Sequence, residues 1–329
     1  MNKIAILFGG SGYIGTNLIK HFISLNRFDK YIIADIKKPK EIFQNNKVSF
    51  VNVDVREDIN IGLEPFEKGE SWIFNLAAIH REPGHDYKEY FDTNVPGAKN
   101  INDFARISGL QNMFFTSSIA PYGKSLEQRT EKSMIYPETA YGISKALAEK
   151  IHQKWLSENT ERRLVIVRPS VIFGPKDPGN VYRMIRALKK GSFILPNGGD
   201  IIKGYGYVYG LVESILFTMD KKENLIVYNY AESELIPLKE MVSIVKKELN
   251  YNRPTVKMGV NVLAFIAFFI QIGSKLFGFK SDIHPTRVKK AGFPTNIKSQ
   301  YLIDNGFVFR YNFLNALRHW KELAPEDFN

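Results

Sequence analysis

Cysteine is absent from this chain of 329 residues. Without thiols the chain has no disulfides, and a cysteine nucleophile or a thiolate metal site is excluded. This composition suits a reducing compartment. The N-terminal region also lacks a basic stretch followed by an apolar signal core, so we expect a cytoplasmic protein without a secretion signal.

Apolar runs long enough to span a membrane are missing too. The most apolar stretch, residues 260–272, is shorter than the ~20 residues that a transmembrane helix needs, and Lys275 follows it closely. We expect this stretch to form a buried helix of a smaller lobe. Peripheral membrane contact or an oligomer surface would use the same phenylalanines, so both remain alternatives.

Acidic residues are outnumbered, which gives a net charge of +11 and a pI of about 9.4. The basic residues come in scattered pairs such as Lys189-Lys190, without a long basic run or a nucleic-acid-binding motif. We therefore expect no nucleic-acid partner, and interpret the charge as a solvated surface or as attraction to an anionic substrate or membrane. His80 and His85 share one polar loop with no further ligand, so no metal site is expected.

The first fifteen residues contain a glycine-rich turn between a strand and a helix. The apolar run 4–8 leads directly into GGSGYIG at residues 9–15, and helical periodicity follows. In such a turn Gly10 permits the tight bend, Gly12 lets a phosphate approach the backbone, and Gly15 lets the helix pack on the strand. The helix N-terminus would then face a pyrophosphate, which predicts a dinucleotide site.

An acidic residue follows the second strand at the spacing that a dinucleotide-binding fold uses. The apolar run 31–34 ends in Asp35, about twenty residues past Gly15, where a carboxylate holds the adenosine ribose. Because a carboxylate repels a 2′-phosphate, Asp35 favours NAD. Lys37 and Lys38 lie close by, so NADP is not excluded.

Further strand-like runs alternate with helical segments. They lie at residues 48–53, 71–78, 113–116 and 164–169. This order predicts an α/β fold, a Rossmann-type doubly wound parallel sheet with ligands at the carboxyl ends of its strands. Beyond residue 175 the alternation becomes irregular. We therefore assign residues 1–175 to an NAD-binding Rossmann domain and residues 176–329 mainly to a smaller C-terminal substrate-binding lobe, with some later segments returning to the sheet.

Tyr141 and Lys145 are separated by one helical turn and share a helix face. A phenol is a poor base at neutral pH, but a neighbouring ammonium group favours the phenolate. Tyr141 could then exchange a proton with a substrate hydroxyl or ketone. Ser118, at the end of a neighbouring strand, could hydrogen-bond the same oxygen, and a bound nicotinamide would carry the hydride.

These motifs, in this order, resemble those of extended short-chain dehydrogenases/reductases, most closely the NAD-dependent epimerase/dehydratase branch that acts on nucleotide sugars. The matching stretches are residues 9–15, 54–56, 76–78, 94–97, 117–123, 141–145 and 168–175. The resemblance implies an NAD-dependent isomerase or oxidoreductase with a nucleotide-sugar substrate, working in cell-surface polysaccharide precursor synthesis. It also implies a homodimer.

Carried over residue by residue, the resemblance assigns three sets of site residues. The implied catalytic residues are Ser118, Tyr141 and Lys145. The implied cofactor-binding residues are Gly9, Gly12, Tyr13, Ile14, Gly15, Asp35, Asp54, Val55, Leu76, Ala77, Ala78, Asn94, Tyr141, Lys145 and Arg168. The implied substrate-binding residues are His80, Ser118, Asn180, Lys203 and Arg287.

One departure from the family pattern narrows the reaction. Family dehydratases carry an Asp-Glu pair directly after the catalytic hydroxyl residue, whereas this chain has Ile119-Ala120. This difference counts against elimination of water and leaves epimerisation or keto reduction, which use the same residues. A hydroxysteroid-type dehydrogenase and a non-catalytic dinucleotide sensor are the alternatives from other classes.

Overall fold

The structure is a computed structural model that describes residues 1–40, 45–80, 84–177, 179–277, 288 and 292–329. Its strands are β1 Ile4–Phe8, β2 Lys30–Asp35, β3 Val48–Asn52, β4 Trp72–Asn75, β5 Asn112–Thr116, β6 Arg163–Pro169, β7 Val171–Phe173, β8 Ile194–Pro196, β9 Tyr205–Tyr207, β10 Leu225–Tyr230 and β11 Val256–Met258. Its helices are α1 Tyr13–Ser24, α2 Tyr87–Ser108, α3 Ala140–Ser157, α4 Asn180–Lys190, α5 Val208–Met219, α6 Leu238–Glu248, α7 Val260–Phe277, α8 Gln300–Asp304 and α9 Phe313–Leu323.

A parallel sheet forms the centre of the molecule. Within the described residues it has seven strands in the order β10-β6-β5-β4-β1-β2-β3. The order reverses between β1 and β4, and the carboxyl ends of these two strands form the crevice where such folds bind ligands. The α/β Rossmann-type fold predicted from the sequence is therefore confirmed.

Helices cover both faces of the sheet because the strands are apolar on both sides. Helices α1 and α5 pack on one face, in a core that includes Leu18, Phe22 and Ile215. On the other face α2 and α3 pack together over a core that includes Ile101 and Trp155. Helix α3, which carries Tyr141 and Lys145, and helix α2, which carries Asn94, are thus fixed against the sheet.

The second half of the chain builds a smaller lobe and also completes the sheet. Strand β10 pairs with β6 along its length, from Leu225 beside Leu164 to Tyr230 beside Pro169. The remaining elements form a separate apolar core with α4, α6 and α9, which contains Phe173 and Trp320. Two short parallel pairs, β7 with β9 and β8 with β11, form separate two-stranded sheets.

Helix α7 differs from the sequence prediction. We expected residues 260–272 to be buried, yet Phe265 and Phe269 are 65% and 55% exposed. Only small residues, Ala264 and Ala267, are buried on its opposite side. The prediction of a buried helix was wrong because apolar composition alone does not tell which face a helix packs. Among the described residues, no helix combines the length and apolarity needed to cross a membrane.

Candidate functional site

The glycine turn is shaped by two close backbone approaches. Gly9 has φ +74, a left-handed conformation that glycine adopts without strain, and a Cβ there would lie 2.6 Å from the Ala77 amide nitrogen. A Cβ on Gly15 would lie 2.6 Å from the Gly10 carbonyl oxygen. The predicted packing role of Gly15 thus fits its surroundings, whereas the left-handed residue of the turn is Gly9 rather than Gly10.

Gly12 stands at the start of α1 with open space beside it. A Cβ there would meet only the Gly9 carbonyl oxygen, at 3.2 Å. No side chain caps this helix, and its first turn carries no acidic residue, so its amides remain oriented toward the turn. A helix N-terminus of this kind binds anions, and the turn fits the pyrophosphate of a dinucleotide.

Asp35 lies at the rim of the same turn. Its Oδ2 accepts a hydrogen bond from the Ser11 amide at 3.1 Å, and its Oδ1 accepts one from the Lys37 amide at 3.1 Å. Two backbone bonds therefore fix the carboxylate beside the phosphate cradle. Further along this edge Asp54 forms an ion pair with Arg56, whose hydrogen bond lowers the pKa of the carboxyl group.

The end of β4 faces the turn from the other side. Leu76, Ala77 and Ala78 follow β4 and are half-buried, and Ala77 closes over Gly9. Asn94 is buried behind them and bonds the Ile79 backbone through both its oxygen and its nitrogen. Its amide group also donates to the Ser144 hydroxyl at 2.9 Å, so Asn94 ties this loop to α3.

Tyr141 and Lys145 lie in the first two turns of α3, which Thr139 begins by accepting a hydrogen bond from the Gly142 amide at 3.1 Å. The Tyr141 ring is half-buried and lies 6.2 Å from the Tyr90 ring, between centroids. Lys145 is buried, with its Nζ 4.2 Å from the centroid of the Phe115 ring. Burial lowers the pKa of Lys145 to about 7, although Glu149 opposes this shift.

Ser118 lies just past the end of β5, next in the sheet to β4. Its hydroxyl oxygen accepts a hydrogen bond from the Ala120 amide at 3.1 Å, at the start of the short 3-10 helix Ala120–Tyr122. That helix contacts α3. The sheet and the 3-10 helix thus bring the Ser118 loop against the helix that carries Tyr141 and Lys145. The implied catalytic role of Ser118 stays a prediction.

The buried polar network that lies behind α3 was not predicted from the sequence. Glu149 accepts two hydrogen bonds from Arg168 and one from Ser117, and Arg168 also donates to the Tyr122 hydroxyl at 2.9 Å. The Arg168 guanidinium is therefore engaged inside the protein, which gives it a structural role; its implied role in cofactor binding stays a prediction. The signal for Glu149 was present in the sequence, because it lies one turn beyond Lys145.

The same helix face continues to His152. Its Nε2 lies 3.0 Å from the Asn75 side-chain nitrogen, and its Nδ1 lies 2.7 Å from the Asn102 side-chain oxygen. Burial, and then the charge of Lys145, lower the pKa of His152 to about 3, so the ring is neutral at physiological pH. The environment of Lys145 is thus built of packed, buried groups, most of them hydrogen-bonded, although the Asn75 side-chain oxygen has no hydrogen-bond partner among the described residues.

The predicted substrate-binding residues lie on separate segments of the chain. His80 is exposed after β4, and Asn180 is exposed at the first position of α4. Lys203 is half-buried and donates to the Phe293 carbonyl oxygen, and burial lowers its pKa to about 8. Arg287 lies outside the described residues.

Tyr13 and Ile14 begin α1 and point away from the glycine turn toward protein. Ile14 packs on the core of the sheet. The Tyr13 hydroxyl is buried beside Gly174, where a Cβ would approach it to 2.8 Å. Burial, and then the nearby Asp177, raise its pKa. Their assignment to the cofactor stays a prediction, with their backbone amides the groups best placed for it.

The glycine turn, the uncapped start of α1 and Asp35 lie together at the end of β1 and β2, and Tyr141 and Lys145 lie one turn apart on α3. Their roles as a dinucleotide cradle and a proton-transfer pair stay predictions. Among the described residues, no group of three or more His, Asp and Glu side chains could hold a metal ion.

Comparison with known proteins identifies a matching family. The model of the NAD dependent epimerase/dehydratase family matches residues 5–231. An N-acetyl-α-D-glucosaminyl-diphospho-ditrans,octacis-undecaprenol 4-epimerase of Escherichia coli O157:H7 is 29% identical over 319 residues, 96% of this chain and 94% of the relative. A decarboxylating sterol-4-α-carboxylate 3-dehydrogenase of Mus musculus is 26% identical over 306 residues, 88% of this chain and 82% of the relative. The structure of MoeE5 in complex with UDP-glucuronic acid and NAD superposes with a TM-score of 0.73 at 18% identity, covering 97% of this chain and 99% of that one.

Proposed function

Because this chain belongs to the NAD dependent epimerase/dehydratase family, we propose that it inverts a hydroxyl group of a nucleotide sugar. The observation that supports the proposal is the placement of Tyr141 and Lys145 on one face of α3, with the Lys145 Nζ over Phe115 near the carboxyl end of β5, two strands from β1 and its glycine turn. NAD is the family's cofactor, and when bound it accepts a hydride from the sugar carbon and returns it.

The protein's own groups handle the proton. Tyr141 removes the proton of the C4 hydroxyl as the carbon is oxidised, and returns it after the keto sugar has turned over in the site. Lys145 in its protonated form lowers the pKa of the Tyr141 phenol and holds the cofactor ribose. Ser118 donates a hydrogen bond to the same sugar oxygen and so stabilises the charge that develops on it. The buried surroundings of Lys145 exclude water from the reaction.

One comparison favours a second class of substrate, in which the sugar is attached to a polyprenol instead of a nucleotide. The Escherichia coli relative, which aligns over 96% of this chain, is named for a sugar linked through diphosphate to undecaprenol. Both a nucleotide and a polyprenol present the sugar on a diphosphate group. Lys203, Asn180 and Arg287 are proposed to hold that diphosphate, because they are predicted from the family pattern to meet it.

Finer features of the proposal come from the family resemblance alone. They are a homodimer, a cytoplasmic location and a role in cell-surface polysaccharide precursor synthesis. Size-exclusion chromatography with light scattering tests the dimer. A monomer at working enzyme concentrations would contradict it.

The decisive experiment compares cofactor use. An epimerase retains NAD through purification and turns over without added cofactor, whereas a ketoreductase consumes added NADH stoichiometrically. A panel of UDP-, GDP- and dTDP-sugars beside a sterol separates nucleotide-sugar chemistry from the hydroxysteroid alternative. Turnover of the sterol alone would overturn the proposal.

A matched pair of variants tests the role of the phenol. Tyr141→Phe should abolish turnover while NAD binding persists, because only the proton-transfer group is removed. Tyr136→Phe removes a hydroxyl from an exposed tyrosine and should leave turnover unchanged. Unchanged turnover in Tyr141→Phe would overturn the proposed role of the phenol as the proton-transfer group.

A further inference from the structure

Helix α7 presents a stripe of large apolar side chains to the outside. Phe265 and Ile266 lie three and four residues after Val262, and Phe269 lies four and three residues after those two, which places all four on one helix face, and all are exposed. Phe268 and Ile272 extend the same exposed face on one side. Contiguous exposed apolar surface of this kind marks an interaction site.

The opposite face of α7 packs against the rest of the protein, and this packing fixes which side of the helix is exposed. The residues packed inward there are the small Ala264 and Ala267, with Ala267 only 1% exposed. A helix that belonged in a core would bury its phenylalanines and expose its alanines. No helix within the described part of the chain, α7 included, is both long and apolar enough to cross a membrane. Its geometry therefore suits a helix lying in the plane of a membrane surface.

The charge around α7 selects the kind of surface. Residues 249–281 contain no aspartate or glutamate, and their four cations are Arg253, Lys257, Lys275 and Lys280. Arg253 and Lys257 are exposed just before the helix. With the net charge of +11, this acid-free segment complements an anionic lipid surface, and it would repel the same segment of a second copy placed against it.

Residues 293 and 295, which the structure describes again beyond α7, lie beside Lys203, one of the residues predicted to bind the diphosphate. Residue 295 pairs with Lys203, and the Lys203 ammonium donates to the Phe293 carbonyl oxygen. The Thr295 hydroxyl also accepts from the Gly204 amide at 2.9 Å. Strand β11 anchors the other end of the helix by pairing with β8. The start of α7 therefore lies close to Lys203, because a Cβ on Gly292, the neighbour of Phe293, would meet the Val260 side chain.

We propose that α7 is a membrane-docking helix, which lays its Phe265 and Phe269 face into the headgroup region of an anionic bilayer. Resting on the proposed function, this docking places the mouth of the site at the lipid surface. A sugar carried on a membrane-embedded polyprenyl diphosphate then reaches the site without leaving the bilayer, with its diphosphate next to Lys203.

The test is sedimentation with vesicles of phosphatidylglycerol and phosphatidylcholine, and with vesicles of phosphatidylcholine alone. We expect the full-length protein to bind the anionic vesicles, and the double variant Phe265→Ser/Phe269→Ser to bind them at least tenfold more weakly. Val308→Ser is the matched control, because Val308 is 70% exposed far from α7 in sequence. Equal vesicle binding by the double variant and the control would overturn the proposal.

Two further readouts separate docking from catalysis and from self-association. Turnover of a soluble UDP-sugar should be unchanged in the double variant, since neither phenylalanine belongs to the site; if all variants lack turnover but vesicle binding behaves as expected, the proposed function fails and the docking surface stands. If the double variant instead dissociates an oligomer while vesicle binding is unaffected, α7 is a subunit interface and the docking proposal is wrong.

Discussion

Gly12→Ala should remove NAD binding while leaving the fold intact. Gly12 has φ −73 and ψ 175, which alanine adopts readily, and its Cβ would meet only the Gly9 oxygen at 3.2 Å. Alanine restricts the unfolded chain, a gain of about 0.4–1 kcal/mol. It is also a poorer helix N-cap than glycine, a cost of roughly the same size. The free energy of unfolding should therefore change by less than ~1 kcal/mol.

Binding should respond differently, because the new methyl group occupies the open space where a pyrophosphate approaches the backbone. We expect the Kd for NAD to rise at least tenfold, which corresponds to about 1.4 kcal/mol. Gly9→Ala is the contrasting variant. Its left-handed backbone costs alanine ~1–2 kcal/mol, and its Cβ would lie 2.6 Å from the Ala77 amide nitrogen, an overpacking cost of ~1–3 kcal/mol. Its fold should therefore lose ~2–5 kcal/mol, the sum of these terms.

Urea unfolding and calorimetric NAD titration of both variants give the required quantities. The reasoning is refuted if Gly12→Ala binds NAD like the unmodified protein. It is also refuted if Gly12→Ala loses as much stability as Gly9→Ala, since the open space beside Gly12 would then be filled by protein rather than by the cofactor.

Three further variants test separate contacts. Asp35→Ala should narrow the preference for NADH over NADPH in binding titrations; tighter NADPH binding by the unmodified protein would defeat the assignment of Asp35. Burial raises the pKa of Glu232 to about 7, so the folded state holds a proton that the unfolded state loses near pH 4.5, and stability should fall as pH rises from 4.5 through 7. Glu232→Gln should flatten that part of the stability profile measured by urea unfolding, and an unaltered slope would assign it to other groups. Asn94→Ala should lower the free energy of unfolding by about 1–3 kcal/mol, because it leaves buried partners at Ile79 and Ser144 without their bonds; a loss below ~0.5 kcal/mol would mean that water replaces the amide.

The parts of the fold that sequence predicted correctly are encoded locally. The glycine turn is one continuous stretch that ends at Gly15, and the predicted strands at 48–53 and 164–169 match β3 and β6 within a residue or two. Tyr141 and Lys145 needed only helical spacing to be placed on one face. In each case the physical cause, backbone conformation or hydrophobic periodicity, acts within a few residues of the chain.

Contacts between distant segments could not be predicted in the same way. Arg168 meets Glu149 only because β6 lies beneath α3, and nothing in either stretch identifies the other as its partner. Lys203 meets Phe293 for a similar reason, since the two are ninety residues apart. The orientation of α7 likewise depends on the distant residues against which it packs. Apolar content alone therefore led to the wrong prediction of a buried helix.

Because strand β10 of the second half returns to the central sheet, the protein cannot be cut at residue 175 into two independent fragments. A fragment ending at residue 175 would lack β10, and the backbone of β6 from Leu164 to Pro169 would lose its hydrogen-bonding neighbour. It would also lack α5, so the apolar face that Leu211 and Ile215 cover would meet water. A long hydrophobic edge strand of this kind recruits other chains and aggregates. The nucleotide-binding half therefore depends on the other half for its solubility.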